Sequence, residues 1–178
     1  MTKLSNLERQ KSELLYEFSG WTPSRLAYRP DDGGWSALQM LDHLIRTERE
    51  ILLVVYRNEG SFHRFGITDR LRTRLLIALF RTDRKVKVPS SASVVLPGNG
   101  LGLSVLTAEW AEVRERLAQN IERLLESYSG SAVFRHPVAG WMDMHAVLEF
   151  LSVHLVHHGY QLKRLRIASE HLQQGSGV

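Results

Sequence analysis

The chain has 178 residues, of which 43 % are apolar and 24 % are charged, the balance of a soluble globular protein, and we expect a single domain over residues 1–178. The sequence contains no cysteine, which excludes disulfides, thiolate metal sites and a cysteine nucleophile. The net charge is +4, but residues 61–100 alone carry +6, so the positive charge belongs to one segment rather than to the whole surface.

Helical periodicity begins close to the N-terminus. Ser5 and Glu8 have the spacing of a capping box, and Gly20 and Pro23 are expected to end this first helix. The first residues lack the hydrophobic core of a signal peptide, and no apolar run is long enough to cross a bilayer. We therefore expect a cytoplasmic protein with no membrane partner.

A second helix is predicted from Ser36 to about Arg57. Ser36 and Gln39 form another capping box, and an apolar stripe follows at helical spacing. Glu48 falls on that stripe, where a carboxylate needs a partner. It could be a general base or an acid close to a metal, or it could form a buried salt bridge with an arginine.

A long connection, residues 58–104, joins the second helix to the third. It contains a short amphipathic basic segment, Ile67–Phe80, followed by a loop rich in Ser, Pro and Gly. Three interpretations of its charge are open: a solvated face, a site for an anionic substrate or cofactor, and a nucleic-acid surface. The last is the weakest because aromatic residues are sparse there, so no nucleic-acid partner is expected.

The last two helices complete the pattern. Thr107 can cap the third helix, which Gly130 ends, and Asp143 can cap a fourth helix that reaches about Leu172. Four long amphipathic helices without a competing sheet predict an all-α four-helix bundle, with a long basic insertion between helices 2 and 3.

The fourth helix carries the clearest chemical signal. His154 and His158 are four residues apart on its apolar seam, a spacing that places their Cβ atoms roughly 6 Å apart on one face. Two imidazoles there could share one metal ion, or they could be partly buried histidines hydrogen-bonded to backbone or water. The zinc-protease motif His-Glu-x-x-His is absent, because Leu155 follows His154.

Two neighbours of this pair are also open to two interpretations. His157 points roughly 100° away around the helix and is either a proton shuttle or outer-shell group, or a surface or interface residue. Gln161 could orient a histidine ring or a bound water, or it could make an ordinary hydrogen bond between helices. The remaining histidines have no partner at an informative spacing and are treated as structural or exposed: His63, His136, His145 and His171.

Three separated segments of the chain contain recognisable motifs. Residues 34–44 contain a tryptophan, a serine cap and, seven residues past that cap, His43. Residues 136–142 form the connector before the last helix, and residues 154–161 contain histidines four apart and a glutamine one turn further on. In this order, the three segments resemble motifs of the DinB-like superfamily.

The resemblance implies a metalloenzyme of the four-helix-bundle type. Its three metal ligands would be His43, His154 and His158, which leaves coordination positions open for water or a small-molecule substrate. Neutral imidazoles suit zinc, nickel, iron(II) or copper. The family implies a hydrolase or a transferase that uses a low-molecular-weight thiol, often as a homodimer, with Ile67–Phe80 as a candidate contact surface. The alternative is a non-catalytic helical bundle, a binding or stress-associated protein with a vestigial metal site.

Overall fold

The computed structural model describes residues 2–59, 63–84 and 86–172. In chain order its elements are α1 (Lys3–Ser19), α2 (Pro23–Ala27), α3 (Ala37–Arg57), β1 (His63–Arg64), α4 (Ile67–Phe80), a 3₁₀ helix (Ser90–Val95), α5 (Leu103–Ser127), β2 (Ser131–Ala132), β3 (Phe134–His136), β4 (Gly140–Met142), α6 (Met144–Ala168) and a second 3₁₀ helix (Glu170–Leu172). The prediction of an all-α fold is confirmed, since strands are short and few in the described ranges.

The four long helices pack side by side around one apolar core. Helix α3 packs against α5 and α6, and α1 packs against α6 and α5. Among the side chains that are completely buried are Phe18 of α1, Leu41 of α3 and Trp110 of α5. Because each helix buries one apolar stripe against its neighbours, packing rather than local propensity supplies most of the stability of this arrangement.

Two helix starts were predicted correctly from their caps. The Ser36 hydroxyl accepts a hydrogen bond from the backbone N–H of Gln39, whose side chain accepts one from the N–H of Ser36, so the predicted capping box is formed. The Asp143 carboxylate likewise accepts a bond from the N–H of Ala146 at the start of α6. Gly20 ends α1 as predicted.

Two other predicted starts were wrong by a few residues. Thr2 caps α1, and the backbone N–H of Ser5 donates to its hydroxyl, so Ser5 is inside the helix. Helix α5 begins at Leu103 after Gly102, which has no side chain that could cap it, and not at Thr107. Completely buried Leu106 lies in this extra turn, so core packing extends the helix where no capping signal exists.

In the connection between α3 and α5, the predicted amphipathic segment Ile67–Phe80 forms a helix, α4, with the same bounds. Helix α4 packs against α6 and leaves Ile67, Leu71 and Leu75 exposed; the homodimer contact expected on this segment stays a prediction. Antiparallel pairing of β1 with β2 joins the connection to the loop after α5. Residues 60–62 and Lys85 of the predicted basic insertion lie outside the described residues.

No helix within the described ranges combines the length and the apolar character needed to cross a membrane.

Candidate metal centre

Helix α3 places His43 inside the bundle. The side chain lies in the second turn, and its 4 % exposed fraction means that it is buried against α6. Trp35 lies just before the helix, and its ring packs on the imidazole of His43 with a centroid separation of 4.7 Å. The Nε2 atom of His43 lies 3.2 Å from the Nε2 atom of His154 on α6.

Helix α6 supplies the other two rings. His154 and His158 are buried, one helical turn apart, and their Nε2 atoms are 3.0 Å apart. The ligand atoms of all three histidines lie within 4.8 Å of one another. The structure therefore brings together, from two helices distant in sequence, the three residues that the resemblance implied as metal ligands.

Hydrogen bonds on the far side of two rings fix which nitrogen carries the proton. The Nδ1 atom of His43 is 2.7 Å from the carbonyl oxygen of Val95, which can only accept. The Nδ1 atom of His158 is 2.9 Å from the amide oxygen of Gln161. Both Nδ1 atoms therefore donate, and each neutral ring directs the lone pair of its Nε2 atom toward His154.

This arrangement leaves a polar conflict at the centre of the cluster. Two Nε2 lone pairs face His154, which has at most one Nε2–H to donate, so the polar atoms of three rings cannot all be paired. Burial lowers the pKa of His43 to about 4. Burial and neighbouring histidines also lower the pKa of His154 and of His158 well below 6.5, so protonation does not relieve the conflict at neutral pH.

A divalent ion resolves the conflict because it accepts the lone pairs of three neutral rings at once. Nitrogens that share one tetrahedral ion through bonds of about 2.0–2.1 Å lie about 3.3 Å apart. The Nε2 separations of 3.0 and 3.2 Å are close to that value, and the ligand atoms of all three rings lie within 4.8 Å of one another. The donor set, the protonation pattern and the spacing of these residues therefore fit a transition-metal ion.

The segment that carries Val95 is anchored to α3 by polar contacts. The buried Asp42 carboxylate accepts a 2.6 Å hydrogen bond from the backbone N–H of Gly98, and it also pairs with Arg46 at 2.8 Å. Sequence reasoning missed both the Val95 carbonyl and Asp42. A carboxylate within the apolar stretch immediately before His43 is the one signal that could have identified Asp42.

The three residues predicted as possible outer-shell groups, Gln161, His157 and Glu48, lie in different surroundings. Gln161 binds the ring of His158, so its ring-orienting interpretation agrees with the structure. His157 is 2 % exposed and packs against Phe80 of α4 and against the ring of His158, so it is buried between helices and is not a surface residue. Glu48 faces α5, where its carboxylate accepts hydrogen bonds from Arg114 and Trp110. Its salt-bridge interpretation is therefore the one that the structure supports.

The three imidazoles line a cavity of about 700 Å³ between α3, α4, α6 and the segment that carries Val95. Aromatic rings enclose the histidines, since Phe150 stacks on His154 with a centroid separation of 5.3 Å and Phe80 lies 5.6 Å from the same ring. Of the basic residues of the insertion that the structure describes, Lys87 lines the cavity, whereas its arginines lie elsewhere. The expectation that those arginines hold an anionic ligand beside the metal is therefore not supported.

Comparison with known proteins identifies the family of the chain. A family model described as the DinB superfamily matches residues 6–162, a range that includes all three histidines, the whole of α3 and most of α6. No curated protein and no solved structure gives a significant match.

Proposed function

The chain belongs to the DinB superfamily, and we propose that it is a divalent-metal-dependent enzyme whose ion is held by His43, His154 and His158. The observation that carries this proposal is the convergence of three buried, neutral imidazoles whose Nε2 atoms cannot all be paired with one another. In a histidine cluster with only a structural role, we would expect each N–H group to be paired with an acceptor and each lone pair with a donor. The protonation states of His43 and His158 prevent this, because both rings direct a lone pair toward His154.

Residues around the site orient the histidine rings for metal binding. The Val95 carbonyl and the Gln161 amide hold two rings in the correct orientation and with the correct nitrogen free, which raises the basicity of the ligands. When bound, a divalent ion at such a site lowers the pKa of a water molecule or thiol and so supplies a nucleophile at neutral pH. The aromatic rings around the histidines exclude bulk solvent, which strengthens electrostatic interactions inside the cavity.

Two reaction classes follow from this chemistry and from the family. A hydrolase would activate water, and a thiol S-transferase would activate a low-molecular-weight thiol and transfer it to an electrophile. Both use a small-molecule substrate, for which the cavity beside the histidines has room. Three neutral imidazoles suit zinc, nickel or iron(II), and we propose the ion from this group.

The proposal is tested by activity assays on the full chain loaded in turn with zinc, nickel and iron(II). Each form is assayed with ester and amide substrates, and with thiol cofactors in the presence of electrophiles. We expect turnover that depends on the metal, is lost in His154→Ala and is kept in His145→Ala. His145 is the matched control because it is an exposed histidine on the same helix. Bound metal without turnover in either reaction class would contradict the enzyme proposal and favour a binding protein.

A further inference from the structure

The cavity around the three imidazoles is much longer than an ion and a water molecule require. Its lining extends along α3 from Met40 to Val54, which is about 20 Å at the helical rise of 1.5 Å per residue. On the opposite side it extends along α6 from Phe150 to Ala168, so the histidines lie between its two ends. Its volume of about 700 Å³ is within the range of pockets that enclose drug-sized ligands, about 300–1,000 Å³.

The walls of the cavity are predominantly apolar, and every element that surrounds it contributes to them. The apolar lining residues include Ile51 and Val54 of α3, Leu79 and Phe80 of α4, Val86 of the following segment, and Leu165 of α6. A charged or strongly hydrated ligand would lose its contacts with water on entering, without gaining partners along most of the length. An apolar chain or ring system would instead gain burial along the whole cavity.

The charged side chains of the lining do not select a ligand of either sign. Arg164 pairs with Asp83 outside the lining. The other described basic residues of the lining, Lys87 and Arg135, are matched in number by Asp32 and Glu50. The cavity therefore offers little net attraction to an anion or to a cation.

We propose that this cavity binds an elongated, uncharged and predominantly apolar small molecule, which lies along α3 with one part beside the three imidazoles. This inference rests on the proposed function, because it assigns the substrate class of the same site. The length and the apolar area of the ligand determine the specificity of binding. The metal-binding histidines act on the part of the molecule that lies beside them.

The test uses N-phenyl-1-naphthylamine, an uncharged probe whose fluorescence increases in apolar surroundings, titrated into the full chain. Primary alcohols of increasing chain length then compete for the site. Each added methylene group is expected to tighten binding about fourfold, which corresponds to about 0.8 kcal/mol per buried CH₂, until the chain fills the cavity. Equal competition by short and long alcohols would overturn the proposal.

A matched pair of variants locates the binding site. Val54→Trp fills the end of the cavity about 16 Å along α3 from His43, and we expect it to weaken probe binding at least tenfold. Leu53→Trp adds the same ring at the adjacent, exposed position and should bind the probe like the parent. Leu79→Trp, on α4, gives a second test if Val54→Trp loses helicity. Unchanged probe affinity in a folded cavity variant would refute the inference.

The failure of this inference can be distinguished from failure of the proposed function. Probe binding does not need the ion, so it is measured with and without metal and in His154→Ala. If the protein turns over substrate but does not bind the probe, the proposed function stands and the inferred substrate class is wrong. If the protein binds the probe in its cavity but shows no metal-dependent turnover, the inferred class of apolar ligand stands and the proposed enzymatic role is wrong.

Discussion

The ion pair between Glu48 and Arg114 is a buried connection between α3 and α5, and its role can be separated from that of the histidines. The exposed fractions of the two side chains are 3 % and 2 %. Glu48 accepts two 2.6 Å hydrogen bonds from the guanidinium of Arg114 and a 3.0 Å bond from the indole N–H of Trp110. Both charges are therefore removed from water, and the second carboxylate that contacts Arg114, that of Glu8, is farther away and partly exposed.

We expect Glu48→Gln to lower the free energy of unfolding by about 3–5 kcal/mol, because the buried guanidinium of Arg114 then keeps only the weaker pairing with the partly exposed carboxylate of Glu8, 3.5 Å away. The matched control is Glu112→Gln, which removes an exposed carboxylate of α5 whose pair with Arg116 has both side chains about 60 % exposed. That substitution should cost less than about 1 kcal/mol. The double variant Glu48→Met/Arg114→Met should recover most of the loss, because no unpaired charge remains.

The assay is urea unfolding of the metal-free protein, followed by circular dichroism, together with a metal-binding titration of each variant. A cost for Glu48→Gln no larger than that of the control would refute the structural role assigned to this pair. Normal stability combined with lost metal binding would show instead that Glu48 acts on the three-histidine cluster, although its carboxylate faces α5.

Two further predictions concern the segment around the site and its pH dependence. Asp42→Ala removes the acceptor that anchors the backbone of Gly98, so it should weaken metal binding about 10–100-fold while Glu112→Ala does not, measured by competition with a chromophoric chelator. Burial lowers the pKa of His136, whose Nδ1 accepts two backbone N–H bonds, to about 4. The unfolded chain takes up this proton near pH 6.5 and the folded chain only near pH 4, so stability is lost as the pH falls between those values. His136→Asn keeps an acceptor but cannot titrate. At pH 4.5 the loss of unfolding free energy should therefore be smaller in this variant than in the parent by on the order of 2 kcal/mol, measured by unfolding of the metal-free proteins. Identical pH profiles for parent and variant would contradict the assignment.

The parts of the fold that local chemistry determines could be predicted from the sequence. The capping box at Ser36 and the cap at Asp143 satisfy backbone donors within a few residues, so the sequence alone contains both partners. The same holds for His154 and His158, since helical geometry places residues four apart on one face. His43 required the family resemblance, because its approach to α6 depends on how two distant helices pack.

The parts that were missed depend on contacts between distant segments or on backbone groups. The start of α5 at Leu103 follows from burial of Leu106, with no capping side chain to indicate it. The Val95 carbonyl that orients His43 belongs to a backbone, and any residue type at position 95 could provide it. Burial of His157 likewise depends on α4 packing across α6, which periodicity within one helix does not show.

The central claim is that three imidazoles from α3 and α6 share one ion, and metal analysis of the purified full chain tests it most directly. The parent, supplied with zinc, nickel and iron(II) and purified without chelator, should retain about one divalent ion per chain. His43→Ala and His154→Ala should retain none while keeping their helical circular dichroism, and His145→Ala should match the parent. Absence of metal from the parent, or stoichiometric metal in either ligand variant, would contradict the account.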